Sequence, residues 1–150
     1  MAKDRAALRA RTVQHVLVTY TTAGALDDKE LELVLATLAE PKITRHFAGV
    51  GGTVDSTSHQ RLLAGEIMKA KRDFKMIFLA DSLVVRGIAT ALSWFNVSIK
   101  SFPSFKKEQA LRWLDIPPAM DGEILAMLNR LQEEAEAAIG RRPKPMQGLR

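Results

Sequence analysis

The chain has no cysteine, one tyrosine and two tryptophans among its 150 residues. Without cysteine there is no disulfide scaffold, no thiolate zinc site, no thiol nucleophile and no iron–sulfur cluster. No apolar run reaches the ~18 residues that a membrane-spanning helix needs. The longest candidate, near residues 83–95, contains Arg86. Residues 1–11 alternate charge with alanine and lack an apolar stretch, so no secretion signal is expected and the cytosol is the default compartment. Histidine occurs only at positions 15, 46 and 59. No two are spaced i, i+4 and H-E-x-x-H is absent, so neither a metal site nor a cofactor is expected. The G-x-S-x-G elbow that carries a serine nucleophile is missing too, and no enzymatic activity is expected.

What is present suits one globular domain. The hydrophobic fraction of 47% excludes wholesale disorder. The formal net charge of +5, with a pI near 9.7, suggests nucleic acid until it is divided by position. Residues 1–11 hold four bases against Asp4, and residues 140–150 hold four bases and no acid. The stretch between them then has 14 bases and 16 acids, a net of −2. A reader of DNA grooves carries its charge on the fold itself, so no specific nucleic-acid partner is expected. The basic ends read as solvated tails, or as a salt-sensitive attraction to phosphate.

Strand and helix signals alternate. Residues 14–20 read as a strand. Asp27 and Glu30 form a D-x-x-E cap ahead of Leu31, Val34, Leu35 and Leu38, one apolar helix face ended by Pro41. Residues 43–50 are a weak strand, because Arg45 and His46 stand where a buried strand would hold Val or Ile. Thr57 and Gln60 have capping-box spacing for a helix to about residue 72, with Leu62, Leu63, Ile67 and Met68 inward. Residues 74–80 are the best strand. A helix over 83–95, an edge-like strand over 96–102 and a helix over 103–115 follow, the last with Phe105, Ala110, Leu111 and Leu114 apolar. This alternation predicts an α/β layered domain with a mostly parallel sheet.

After Pro117 and Pro118, a last helix runs to about residue 139. Ile124, Leu128, Leu131 and Ala135 form a heptad-like seam over two heptads. Such a helix either packs back on its own domain or serves as an interaction and dimerisation helix, which would make the chain a homo-oligomer.

Two glycine and acid motifs carry little. Gly49, Gly51 and Gly52 lack the G-x-G-x-x-G register and a G-K-[ST] ending, and read as a turn that needs positive φ. Asp81 follows a strand as in a phosphoacceptor domain, but no acidic pair follows the first strand. Asp55, Ser56, Thr57 and Ser58 are the principal candidate site. Their three hydroxyls lie at an expected helix N-terminus, where free N–H groups favour an anion. Either they simply cap the helix, or a phosphate there adds about two negative charges and changes what the surface binds.

Residues 12–115 resemble the STAS family, the domain of anti-sigma-factor antagonists, and more closely its divergent bacterial branch. The resemblance rests on residues 78–95 (FLADSLVVRGIATALSWF), 97–102 (VSIKSF) and 108–114 (EQALRWL). It implies a central mixed, mostly parallel sheet of about four strands with helices mainly on one face. To this the chain adds an extra C-terminal helix at 116–139, a basic N-terminal arm at 1–11 and a basic flexible tail at 140–150. It implies a regulatory or scaffolding protein that binds a protein partner, such as a regulatory kinase, and does no chemistry. In that family a D-S-S-G-like loop carries the hydroxyl that a kinase phosphorylates. Asp55 to Ser58 occupies its place and Thr57 matches the phosphoacceptor, although Ser58 stands where the family has glycine. Related folds offer, by analogy, one more reading: a binder of a small lipid or anionic ligand.

Overall fold

The computed structural model describes residues 4–81 and 98–140. Five strands form one sheet: β1 (Leu8–Val13), β2 (Val16–Thr21), β4 (Arg45–Val50), β6 (Lys75–Leu79) and β7 (Ser98–Phe102), in the order β1-β2-β4-β6-β7. β1 runs antiparallel to β2 and the other neighbours are parallel, so the sheet is mixed and mostly parallel. A small second sheet pairs β3 (Gly24–Ala25) with β5 (Val54–Asp55). The helices are α1 (Asp28–Leu38), α2 (Ser58–Lys69), α3 (Lys107–Trp113) and α4 (Asp121–Ile139). The α/β layered class and the extra C-terminal helix expected from the sequence are both present.

Alternation along the strands makes two cores, one on each face of the sheet. Every residue of β2 is buried, because both of its faces are covered. Val16, Val18 and Tyr20 face the core shared with Phe47, Ile77, α3 and α4. Leu17 faces the core shared with Ala48, Met76, α1 and α2. As the sequence predicts, α1 buries Val34, Leu35 and Leu38. The Asp27 carboxylate accepts from Glu30 N, but the Glu30 side chain does not return to close a capping box. It accepts instead from Leu8 N and from the Arg9 guanidinium of β1.

That contact corrects the expected N-terminal arm. Residues 8–11 lie in β1 rather than in a free tail, and Ala6, Ala7 and Leu8 are buried. The small sheet holds the chain from its first described residue: Ala25 N donates to Asp4 O and Ala6 N to Ala25 O. Arg5, Arg9 and Arg11 pair with Asp27, Glu30 and Glu134. Their charge therefore belongs to the folded body. This segment supplies the fifth strand, one more than the sequence suggested.

The weak strand proves to be the middle one. β4 lies third of five, with Arg45 and His46 both buried. Arg45 is tolerated there because its donors are used: Nε reaches Leu114 O at 2.6 Å and Nη1 reaches Thr44 O at 2.8 Å and Asp73 O at 2.5 Å. It also lies 3.7 Å from the Asp73 carboxylate and 3.6 Å from that of Asp115. Asp73 and Asp115 both adopt the left-handed conformation, at φ 52° and 59°. Arg45 thus joins two tight turns, one after α2 and one after α3.

The glycine-rich segment has two purposes where one was expected. Gly52 has a positive φ, but Gly49 does not. A Cβ on Gly49 would come within 2.8 Å of Leu128 and 2.9 Å of the Tyr20 ring, so this glycine permits close packing of α4 on the sheet. In the 103–115 segment Ala110, Leu111 and Leu114 are fully buried, whereas Phe105 sits in a 3-10 turn, exposed. The helix expected over 83–95, with Arg86, Trp94 and Phe95, and the tail beyond residue 140 lie outside the described residues.

Candidate functional site

The segment 55–58 links the small sheet to α2. Asp55 O accepts from Leu26 N, which fixes the strand end beside the start of α1. Thr57 is the N-cap of α2, and here the capping box closes in full. Thr57 Oγ1 accepts from Gln60 N at 3.0 Å, and Gln60 Oε1 accepts from Thr57 N at 2.8 Å. The Gln60 amide then donates to Leu26 O and to Asp28 Oδ1. One buried glutamine therefore ties together the first turns of α1 and α2. The nearby Asp27 carboxyl is held below its usual range, mainly by the bond from Glu30 N and further by Arg5.

Arg61 adds a cation to the hydroxyl cluster. Nη1 donates to Ser56 O and Oγ at 2.7 and 3.0 Å, and Nη2 to Ser58 Oγ at 3.3 Å. Ser56 is half-buried, while Thr57 and Ser58 are exposed. The structure thus brings the three hydroxyls together at one helix end with a guanidinium among them. The sequence pattern did not single out Arg61, although its place four residues after Thr57 puts it one turn up the same helix.

The inner face expected for α2 is rotated. Met68 is buried as expected, together with Gln60 and Gly65, but Leu62 and Leu63 are 46% and 38% exposed. Gln60 takes an inward position because it has three hydrogen-bonding partners there, and the helix phase follows from it. Two leucines are thereby left on the surface directly beyond the hydroxyl cluster.

The residues of the other candidate surface are covered within the chain. Ile124, Leu128, Leu131 and Ala135 are buried in the chain's own core, against β1 and β2. The seam fills the second face of the sheet, where each large side chain contributes about 1.5–3 kcal/mol by leaving water. Its heptad-like spacing serves intramolecular packing and leaves no apolar stripe for a partner helix.

His46, which in the sequence only weakens a strand, is a second buried polar residue. Its Nε2 lies 2.8 Å from Thr19 Oγ1, and its Nδ1 has no hydrogen-bond partner. Burial pushes its pKa down to about 4, so the ring is neutral near pH 7. The available signal was a run of three polar residues, Thr44 to His46, between the fully buried Ile43 and Phe47. Among the described residues, no three His, Asp or Glu side chains gather as they would around a metal ion. No described helix is long and apolar enough to cross a membrane.

Fold and site together define a layered α/β domain with a hydroxyl-rich, arginine-bearing helix start at its surface. Compared with models of known protein families and with curated proteins, the chain matches none.

Proposed function

We propose that this chain is a non-enzymatic, cytoplasmic regulatory or scaffolding protein of the STAS kind. It binds a protein partner through the surface formed by residues 51–62 and the leucine that follows. The observation that carries this reading is one continuous strip: exposed Thr57 and Ser58, Arg61 between Ser56 and Ser58, then exposed Leu62 and Leu63. Apolar side chains beside a small polar cluster suit a protein interface. A phosphate on Ser58 or Ser56 would meet Arg61, and one on Thr57 would stand at a helix N-terminus. Each would replace a neutral polar edge by an anionic one, a charge switch on the same surface. Homo-oligomer formation through the last helix draws no support from its seam, which is already covered.

Capture by the immobilised full chain tests this. Wild type and Phe105→Ser, altered on a different element, should retain the same saturable partner. The double variant Leu62→Glu with Leu63→Glu should lose it while staying folded. Equal recovery by all three removes the docking surface. Thr57→Glu is expected to change recovery, and unchanged recovery would remove the switch alone.

A further inference from the structure

A cavity of about 290 Å³ lies on the α4 side of the sheet. Tyr20, Gly49 and Leu79, the last or next-to-last residues of β2, β4 and β6, line it, so it sits at the carboxyl end of the parallel strands. Ligands of open α/β sheets gather at that end. Leu128 of α4 and Val50 add hydrocarbon to the wall, and Ser104, Lys107 and Gln132 add polar groups. Tyr20 is only 7% exposed. Its hydroxyl makes no hydrogen bond to a described residue, yet unlike His46 Nδ1 and Ser101 Oγ it is not sealed from solvent. A Cβ on Gly51 would overlap that hydroxyl, and one on Gly49 would press on the ring. Both glycines line the cavity, so the phenol stands at its wall with the hydroxyl over Gly51. Burial, and then the Glu136 carboxylate, push the Tyr20 pKa up, so the hydroxyl keeps its proton and can donate. Lys107, half-buried at the start of α3, has no ion pair among the described residues.

We propose that this cavity binds a small monocarboxylate, an acid with a short hydrocarbon body, whose carboxylate meets Lys107 and the Tyr20 hydroxyl while its body lies against Leu79 and Leu128. Size sets the first limit. An apolar cavity of ~150 Å³ takes a benzene-sized guest, so this one has room for a branched acid of a few carbons. The anionic head follows from the two donors. An ammonium and a phenol hydroxyl without protein acceptors suit a group with two acceptor oxygens, and a bond to a charged acceptor is about twice as strong as a neutral one. The limit of one charge follows from the acids. One unpaired lysine matches one negative charge. Asp81, in the wall, is bonded by Ser104 N and Oγ at 3.0 and 2.8 Å, and Glu136 is bonded by the Gln132 amide. Both carboxylates repel a second charge, so a phosphate dianion fits less well. This site stands apart from the α2 docking strip and does not rest on it.

Tyr20 is the only tyrosine of the chain, so tyrosine labelled with carbon-13 at Cζ gives one NMR resonance, next to the hydroxyl in question. The full chain is titrated at constant ionic strength with isovalerate, its neutral analogue isovaleramide, and inorganic phosphate. Isovalerate should give a saturable shift of that resonance. Isovaleramide and phosphate should each bind roughly ten-fold more weakly or worse, as expected for a lost charge-assisted bond or an added repulsion. Lys107→Gln should bring isovalerate down to the affinity of isovaleramide. Should that variant not fold, Tyr20→Phe, followed by calorimetry, should bind isovalerate about five-fold more weakly than wild type. The proposal is overturned by a resonance that isovalerate does not move, as for a hydroxyl bonded only to water. It is equally overturned by isovaleramide or phosphate binding as tightly as isovalerate, or by isovalerate binding undiminished to either variant.

Discussion

His46 should make the fold acid-sensitive in a window of its own. Its folded pKa is about 4, lowered by burial, against 6.5 for an exposed imidazole. Between these values the unfolded chain holds a proton that the folded chain does not. Stability is therefore complete above about pH 6.5 and falls as the pH drops toward 4. At ~1.36 kcal/mol per unit, the loss is about 2 kcal/mol at pH 5 and about 3 kcal/mol below pH 4. The carboxylates with lowered pKa values act elsewhere. Asp27, held by Glu30 N, and Asp115, held by Lys75, lose their contributions only as the pH falls through and below the ordinary carboxylate value of 3.8. Urea unfolding of wild type and His46→Leu, from about pH 7.5 to about pH 4.5, isolates the effect. The variant pays a constant penalty for the unpaired Thr19 hydroxyl, but its stability should stay nearly level where that of wild type falls. Parallel decline of the two proteins would refute the assignment of a buried neutral imidazole.

Arg45→Met should cost about 3 kcal/mol or more, because Leu114 O and Asp73 O lose their donor inside the fold; chemical denaturation measures it, and Arg45→Lys should recover only part. Gly49→Ala should cost about 1–3 kcal/mol by overpacking against Leu128 and Tyr20, and adding Leu128→Ala should restore less than additive damage. Leu131→Ala should cost about 2–5 kcal/mol, and light scattering should give the same molar mass as for wild type, since the side chain faces the chain's own core.

Local rules were legible wherever local rules decide the outcome. Thr57 and Gln60 announce the start of α2, Leu31 to Leu38 announce the buried face of α1, and residues 75–79 announce β6. Other elements depend on partners far along the chain. β1 reads LRARTV, too charged for a strand in isolation, and holds its place because Glu30, Glu134 and β2 meet its arginines and its backbone. Arg45 enters a central strand only because Leu114 and Asp73, distant in sequence, offer carbonyls. Leu62 and Leu63 carry the same hydrophobicity whether they face in or out, and it is the buried hydrogen bonds of Gln60 that turn them outward. The seam of α4 was visible, but its partner was not: heptad-like spacing is the same for a sheet beneath a helix as for a second helix beside it. At the candidate site, the hydroxyls and the capping box could be read directly, whereas the place of Arg61 between Ser56 and Ser58 required the fold.

The most direct measurement is hydrogen–deuterium exchange of the full chain, alone and bound to the partner that it captures. Slower exchange on binding is expected at residues 51–63, at the loop and the first turns of α2, with little change along residues 121–139. Protection confined to α4 or to α3, with 51–63 exchanging as in the free chain, would contradict the proposed docking surface.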